Sequence, residues 1–153
     1  MQESEKLDNQ QAIRDLGWLA GVLDGEGSVI LGVFNRKDNT KQYFTRVCFY
    51  NSDEDVINKI VKILDGNQIP PYVESRLQYG NLGNRKGFTV TVGKQEAIVK
   101  LLNLIKDDLT CKRTRAELLI RFCESRVKHQ NKPLNEDESD LLDYWNQEIK
   151  TKS

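Results

Sequence analysis

The chain is 153 residues long, 38% apolar and 30% charged, which fits one globular domain spanning 1–153 that buries roughly two-thirds of its unfolded surface. Its 23 basic and 23 acidic residues cancel, no apolar run is long enough for a membrane span, and the start lacks the basic-then-apolar order of a signal peptide; a soluble intracellular protein is expected. Cys48, Cys111 and Cys123 are an odd number without CxxC spacing and His129 is the lone histidine, so a disulfide framework or zinc module is excluded and any metal site must rest on carboxylate oxygens, which suit a hard ion such as magnesium.

Taken in order, Ile13, Leu16, Leu19, Ala20 and Leu23 recur at helical spacing and predict a helix from about Asn9 to Leu23, stopped by Gly25 and Gly27. Ser28–Asn35 and Gln42–Tyr50 are β-branched and aromatic runs around a polar turn at Arg36–Thr40, a hairpin. Ser52 with Asp55 three positions on resembles a capping box, and Val56, Ile57, Ile60, Val61 and Leu64 mark a second helix ending near Gly66. After Pro70-Pro71, Tyr72–Gln78 and Gly87–Val92 alternate as a second hairpin, with Gly80–Asn84 as its turn. The glycines there are no phosphate cradle, because no lysine-serine helix start follows. Gln95–Ile105 and Arg113–Arg126 read as two further helices. Glu136–Ile149 reads as an acidic terminal helix, within a C-terminal stretch of about 134–150.

The order αββαββα, plus C-terminal helices, predicts an α+β fold: two hairpins in one antiparallel sheet, a saddle with helices on one face and the other face open. Charge is segregated along this plan. Residues 1–27 and 133–153 each carry two basic against six acidic side chains, whereas 28–50 carry four against one and 106–132 eight against four. Arg36, Lys37, Lys41, Arg46, Arg76, Arg85 and Lys86 all lie on or between the predicted strands. A two-stranded ribbon fits the major groove of B-DNA, so double-stranded DNA is the natural ligand of the open face; ordinary solvated surface charge is the alternative for these segments taken alone.

Leu19-Ala20-Gly21-Val22-Leu23-Asp24-Gly25-Glu26-Gly27 resembles the nine-residue signature of the LAGLIDADG homing endonucleases, with glutamate at its eighth position. The resemblance covers roughly residues 10–130, including the Asn51-Ser52-Asp53 entry to the second helix. Members with a single motif are homodimers, so the resemblance implies a self-paired endonuclease that hydrolyses one phosphodiester on each strand of a long, roughly palindromic site. It implies Glu26 as the ligand of Mg2+ or another divalent metal, Asp24 as a structural or capping group near the helix end, and Lys112 as the basic residue beside the cleavage centre. Asp53, on the segment where members place a polar residue, is either near the active site or simply a helix cap. A surface lysine is the alternative for Lys112, and a non-cleaving nucleic-acid binder of the same fold, an intron maturase or a regulator, is the alternative function.

The residues themselves support the dimer. Gly17, Ala20 and Gly21 place small side chains on adjacent turns of one helix, which permits close approach by a second copy or by a helix of the same chain. Asp24 and Glu26 stand where exposed carbonyls are already negative, a placement that calls for something positive nearby. The cysteines are expected to fill core space, His129 to lie at the surface, and Trp18 and Trp145 to pack.

Overall fold

A computed structural model describes residues 2–38, 41–78 and 85–149, with side chains from Asp8 onward except at 35, 41, 76–78 and 85. The predicted turn Gly80–Asn84 and residues 39–40 of the first turn lie outside the described residues. In chain order the elements are α1 (Gln2–Glu26), β1 (Gly27–Asn35), β2 (Lys41–Asn51), α2 (Glu54–Gly66), β3 (Tyr72–Gln78), β4 (Arg85–Val92), α3 (Gln95–Ile105), a 3-10 turn (Lys106–Asp108), α4 (Arg113–Lys128), α5 (Glu136–Tyr144) and a π-type turn (Trp145–Ile149).

The four strands form one antiparallel sheet in the order β1-β2-β4-β3. Register follows the apolar alternation. Val29 faces Val47 across the first pair, Val47 faces Val92 and Phe49 faces Val90 across the second, and all five are buried. These valines and Phe49 meet Leu19 and Leu23 of α1, Ile60 and Leu64 of α2, Leu101 and Leu102 of α3, and Leu119 and Phe122 of α4 in one core. On the opposite face, Ser28, Ile30, Phe34, Gln42, Phe44, Arg46, Cys48, Tyr50, Thr89 and Thr91 are exposed or half-buried. Helices therefore cover one face and the other is open, as the alternation predicts. Two glycines lie beneath aromatic rings on this open face. A Cβ at Gly32 would collide with the ring of Phe44, and one at Gly87 would come within 2.5 Å of the Tyr50 hydroxyl.

Several element ends depart from the sequence reading: α1 begins at Gln2 where about Asn9 was expected, β4 begins at Arg85 where Gly87 was expected, and three further departures have a clear physical cause or consequence. First, α1 is 25 residues long and runs through Gly25 to Glu26 instead of ending at Leu23. A helical glycine costs about 1 kcal/mol relative to alanine, but burial of Leu19 and Leu23 and a cation on the Asp24 carbonyl, described below, hold the last turn closed. The stop falls at Gly27, where a Cβ would meet the Cys48 carbonyl oxygen at 2.8 Å. Secondly, Asp53, not Ser52, caps α2: its carboxylate accepts from the Asp55 N–H at 2.8 Å. Thirdly, the terminal helix is α-helical only to Tyr144 and continues as a π-type turn.

The C-terminal segment is fastened by a buried ion pair. Asn135 and Glu138 cap α5 reciprocally, and Glu138 Oε1 also accepts from Arg126 Nη1 at 2.9 Å. Arg126 further donates to the Tyr43 hydroxyl of β2 (3.1 Å) and to the Lys132 carbonyl (2.8 Å). Leu141, Leu142 and Trp145 then join the core. Burial pushes the Cys123 thiol up to about 12, so it is a core filler without thiolate character.

Candidate active site and nucleic-acid face

The end of α1, the end of β2 and the loop before α4 converge. Asp24 is tied to that loop through both carboxylate oxygens: Oδ2 accepts from the Thr110 N–H at 2.6 Å and Oδ1 from the Lys112 N–H at 3.0 Å, with the Cys111 thiol 3.3 Å from Oδ1. Burial by itself would raise the Asp24 carboxyl, but the two backbone bonds, the thiol and the Lys112 charge outweigh it and hold it below the usual aspartate value. Lys112 sends its Nζ to the Asp24 main-chain carbonyl at 2.6 Å. No basic residue stands in the last turn of α1, so Lys112, reaching from another element, supplies the positive charge that a helix C-terminus favours. Asp24 thus ties the end of α1 to the loop before α4.

Glu26, two residues on, is exposed, and its Oε2 accepts from Asn51 Nδ2 at 2.9 Å. Asn51 in turn accepts the Asp53 N–H on its Oδ1 at 2.8 Å, which orients the amide so that its NH2 side faces Glu26. Asp53 itself is engaged in capping α2 and points its carboxylate at Asp55 N. The sequence reading passed over Asn51 as one letter of a polar segment. The signal that finds it is register: Gly27, next to Glu26, pairs with Phe49, which brings the end of β2 beside the end of α1. Among the described residues, no three His, Cys, Asp or Glu side chains stand together as a metal site. The clefts of 630 Å3 beside His129 and 640 Å3 between α1 and α2 are lined by neither Asp24 nor Glu26.

Of the small residues on α1, Ala20 is fully buried against this chain's own core, so it takes the same-chain alternative and not the contact with a second copy. Gly17 and Gly21 do face outward, and Gly25 extends them by another turn: a Cβ at any of the three would have nothing within 4 Å. Spacing of four residues sets them along one side of the helix.

The basic residues divide by place. Arg46 is exposed on the open face, with its guanidinium 4.7 Å from the Phe44 ring centroid. Arg36 and Lys37 are exposed in the turn after β1. Lys86 shares its side of β4 with Phe88 and Val90, the helix side, and its Nζ stands 5.5 Å from the Phe88 ring centroid. It does not join Arg46. Arg76 pairs with Gly87, Arg85 with Gln78 and Lys41 with Asn35; the side chains of these three lie outside the described residues.

No protein-family model matches the chain, and no curated protein matches it in sequence. Solved structures do. The homing endonuclease I-CvuI in complex with its target superposes with a TM-score of 0.65 at 18% identity, over 89% of this chain and 82% of that one. The archaeal intron-encoded homing endonuclease I-Vdi141I, complexed with DNA, superposes at 0.57 and 15% identity over 86% and 96%. The LAGLIDADG homing endonuclease I-SmaMI, bound to cleaved DNA, does so at 0.61 and 14% identity over 86% of this chain but 44% of its own length. An open antiparallel sheet, a signature helix ending in Asp24 and Glu26, and these three likenesses agree: the chain has the fold of the LAGLIDADG homing endonucleases.

Proposed function

We propose that the protein is a site-specific homing endonuclease that pairs with a second copy of itself and hydrolyses both strands of a long, roughly palindromic duplex with the help of a divalent metal. The observation that carries this reading is the placement of Glu26: an exposed carboxylate, oriented by Asn51, at the helix end that leads directly into β1 of the sheet. The outward glycines of α1 let the same helix of a second copy approach closely, which puts two Glu26 carboxylates near a common two-fold axis. Oxygen donors of this kind suit Mg2+. One chain offers too few for a closed cage, so the partner's Glu26 and DNA phosphates are the natural complement. A bound cation there supplies charge stabilisation on the scissile phosphate and a more acidic water. The chain's own residues orient and hold: Asn51 fixes the Glu26 carboxylate, and Asp24 with Lys112 fixes the helix end that carries it.

The engagement of Lys112 with the Asp24 carbonyl favours one rival, a non-cleaving nucleic-acid binder in which that lysine only closes the helix. A single assay separates them. Duplexes enriched by the protein from a randomised pool are cloned into a supercoiled plasmid and incubated with magnesium, with manganese or with EDTA. Linear product in magnesium and none in EDTA is expected; tight binding without either nicking or linearisation in magnesium or manganese establishes the binder instead.

A further inference from the structure

On the open face, β2 crosses the middle of the sheet with Phe44, Arg46 and Cys48 in a row, and Arg46 stands opposite Ile30 of β1. Phe44 is fixed from below, because its ring occupies the space that any side chain at position 32 would need. The Arg46 guanidinium lies over this ring at 4.7 Å. Among the described residues its partner is therefore a rigid aromatic plate and not a carboxylate, and its flanking neighbours, Ile30 and Cys48, are uncharged.

Most cations that meet DNA contact phosphate, and they do so from the rims of a binding surface where the backbone passes. Arg36 and Lys37, exposed in the turn beyond β1, occupy such a rim. Arg46 differs from them in location and in freedom. It stands midway along an 11-residue strand, on the part of a ribbon that faces the groove floor. Stacking restricts the rotation of the planar fork while its edge N–H groups stay available. A planar fork held in advance at the groove floor matches the paired O6 and N7 acceptors of guanine, and the Phe44 edge and Ile30 beside it match apolar base surface such as a thymine methyl.

We infer that Arg46, buttressed by Phe44 over Gly32, is a specificity-determining residue that reads one guanine in each half-site through the major groove. This rests on the DNA-cleaving reading above and deepens it.

The test is a selection of the full-length protein, in calcium, from a pool of duplexes randomised at every position, repeated with Arg46→Ala, Arg46→Lys and Phe44→Leu. Wild type is expected to enrich a guanine at one position per half-site. Arg46→Ala is expected to lower the preference there by roughly 5- to 150-fold, the range of one bidentate base contact, with the remaining positions unchanged. Arg46→Lys keeps the charge but not the fork, so it is expected to lose the same preference while keeping the slope of affinity against salt. Phe44→Leu should weaken the preference at that position alone. Because Arg46 is exposed, both of its variants fold, and the inference stays testable should Phe44→Leu not. If Arg46→Ala weakens every sequence equally, Arg46 is a phosphate contact and the inference is wrong; a guanine preference kept in full by Arg46→Lys would show that the planar fork held over Phe44 is not what reads the base, and overturns it as well. Enrichment of no sequence by wild type overturns both this inference and the proposed function, an outcome distinct from the other two.

Discussion

Asp24 and Glu26 are two residues apart, carry the same charge and stand in opposite situations. Asp24 accepts from two backbone N–H groups and a thiol; Glu26 accepts from one amide and otherwise faces solvent. Replacing Glu26 by Gln keeps the shape but removes the charge a hard cation requires, so plasmid cleavage in magnesium is expected to fall to background while a gel-shift in calcium shows unchanged or tighter binding. Near-normal cleavage would move the metal elsewhere. Asp24→Asn is expected to act on stability: an amide can accept only one of the two backbone donors, and losing a bond to a charged group costs about 1–3 kcal/mol. Urea unfolding measures it. The pH dependence follows from the lowered carboxyl: a folded-state value below the unfolded one stabilises fully above the unfolded value and is lost as pH falls through the folded one. The gap between wild type and Asp24→Asn should therefore be widest near neutrality and close in acid.

At the scale of elements, the strands, the second hairpin and α3 were readable because each is a local pattern, alternation or a 3.6-residue stripe between turn residues. Helix ends were not, since tertiary contacts decide them. Gly25 looks like a stop, yet Lys112, 88 positions away in sequence from the Asp24 it clasps, keeps the helix closed one turn further. Ser52 and Asp53 are both good caps, and the one chosen depends on where Asn51 ends β2. Lys86 counts as a basic strand residue in sequence, and only the register of β4 shows which face it takes. The glycines of α1 carry a prediction at this scale. With nothing within 4 Å of a Cβ at Gly21, Gly21→Leu leaves the monomer fold intact and replaces a glycine by a better helix former, worth up to about 1 kcal/mol. In a closely crossed helix pair the same volume cannot be absorbed. Sedimentation at micromolar concentration should thus show a dimer for wild type and a folded monomer for Gly21→Leu, with unchanged circular dichroism. Equal sedimentation of the two places the self-contact elsewhere or denies it.

The whole molecule is neutral, but its charges are sorted: among the described residues Arg46 stands on the open face with Arg36 and Lys37 in the turn beyond it, basic residues line α4, and acidic ones line α5. The signature pointed to the end of α1, where Asp24 and Glu26 stand, and position pointed to Lys112, which reaches the same helix end; Asn51 and the Arg126–Glu138 pair were not legible, because side chains far apart in sequence meet only once the sheet register and the helix packing are set. That pair joins the terminal helix to the rest of the fold, with Glu138 fully buried and Arg126 only 6% exposed. Burial by itself would raise the Glu138 carboxyl, but the Asn135 N–H, the Ser125 hydroxyl and the Arg126 guanidinium outweigh it and hold it low. Removing one partner leaves the other charged in a place water does not reach, at a cost of about 3–5 kcal/mol, whereas replacing both with apolar side chains of similar volume is often close to neutral. Glu138→Ala should therefore lower the urea midpoint far more than the double variant Arg126→Met with Glu138→Leu. Sequence preference and cleavage by the folded fraction are expected to match wild type in both, because the pair lies on the helix side of the sheet. With a lowered carboxyl, the ion pair's contribution is complete above the unfolded carboxylate value and declines as pH falls through the folded one, so wild type should lose stability toward acid more steeply than the double variant. Parallel acid profiles, or a Glu138→Ala variant as stable as wild type, would show that the C-terminal segment is held by Leu141, Leu142 and Trp145 alone.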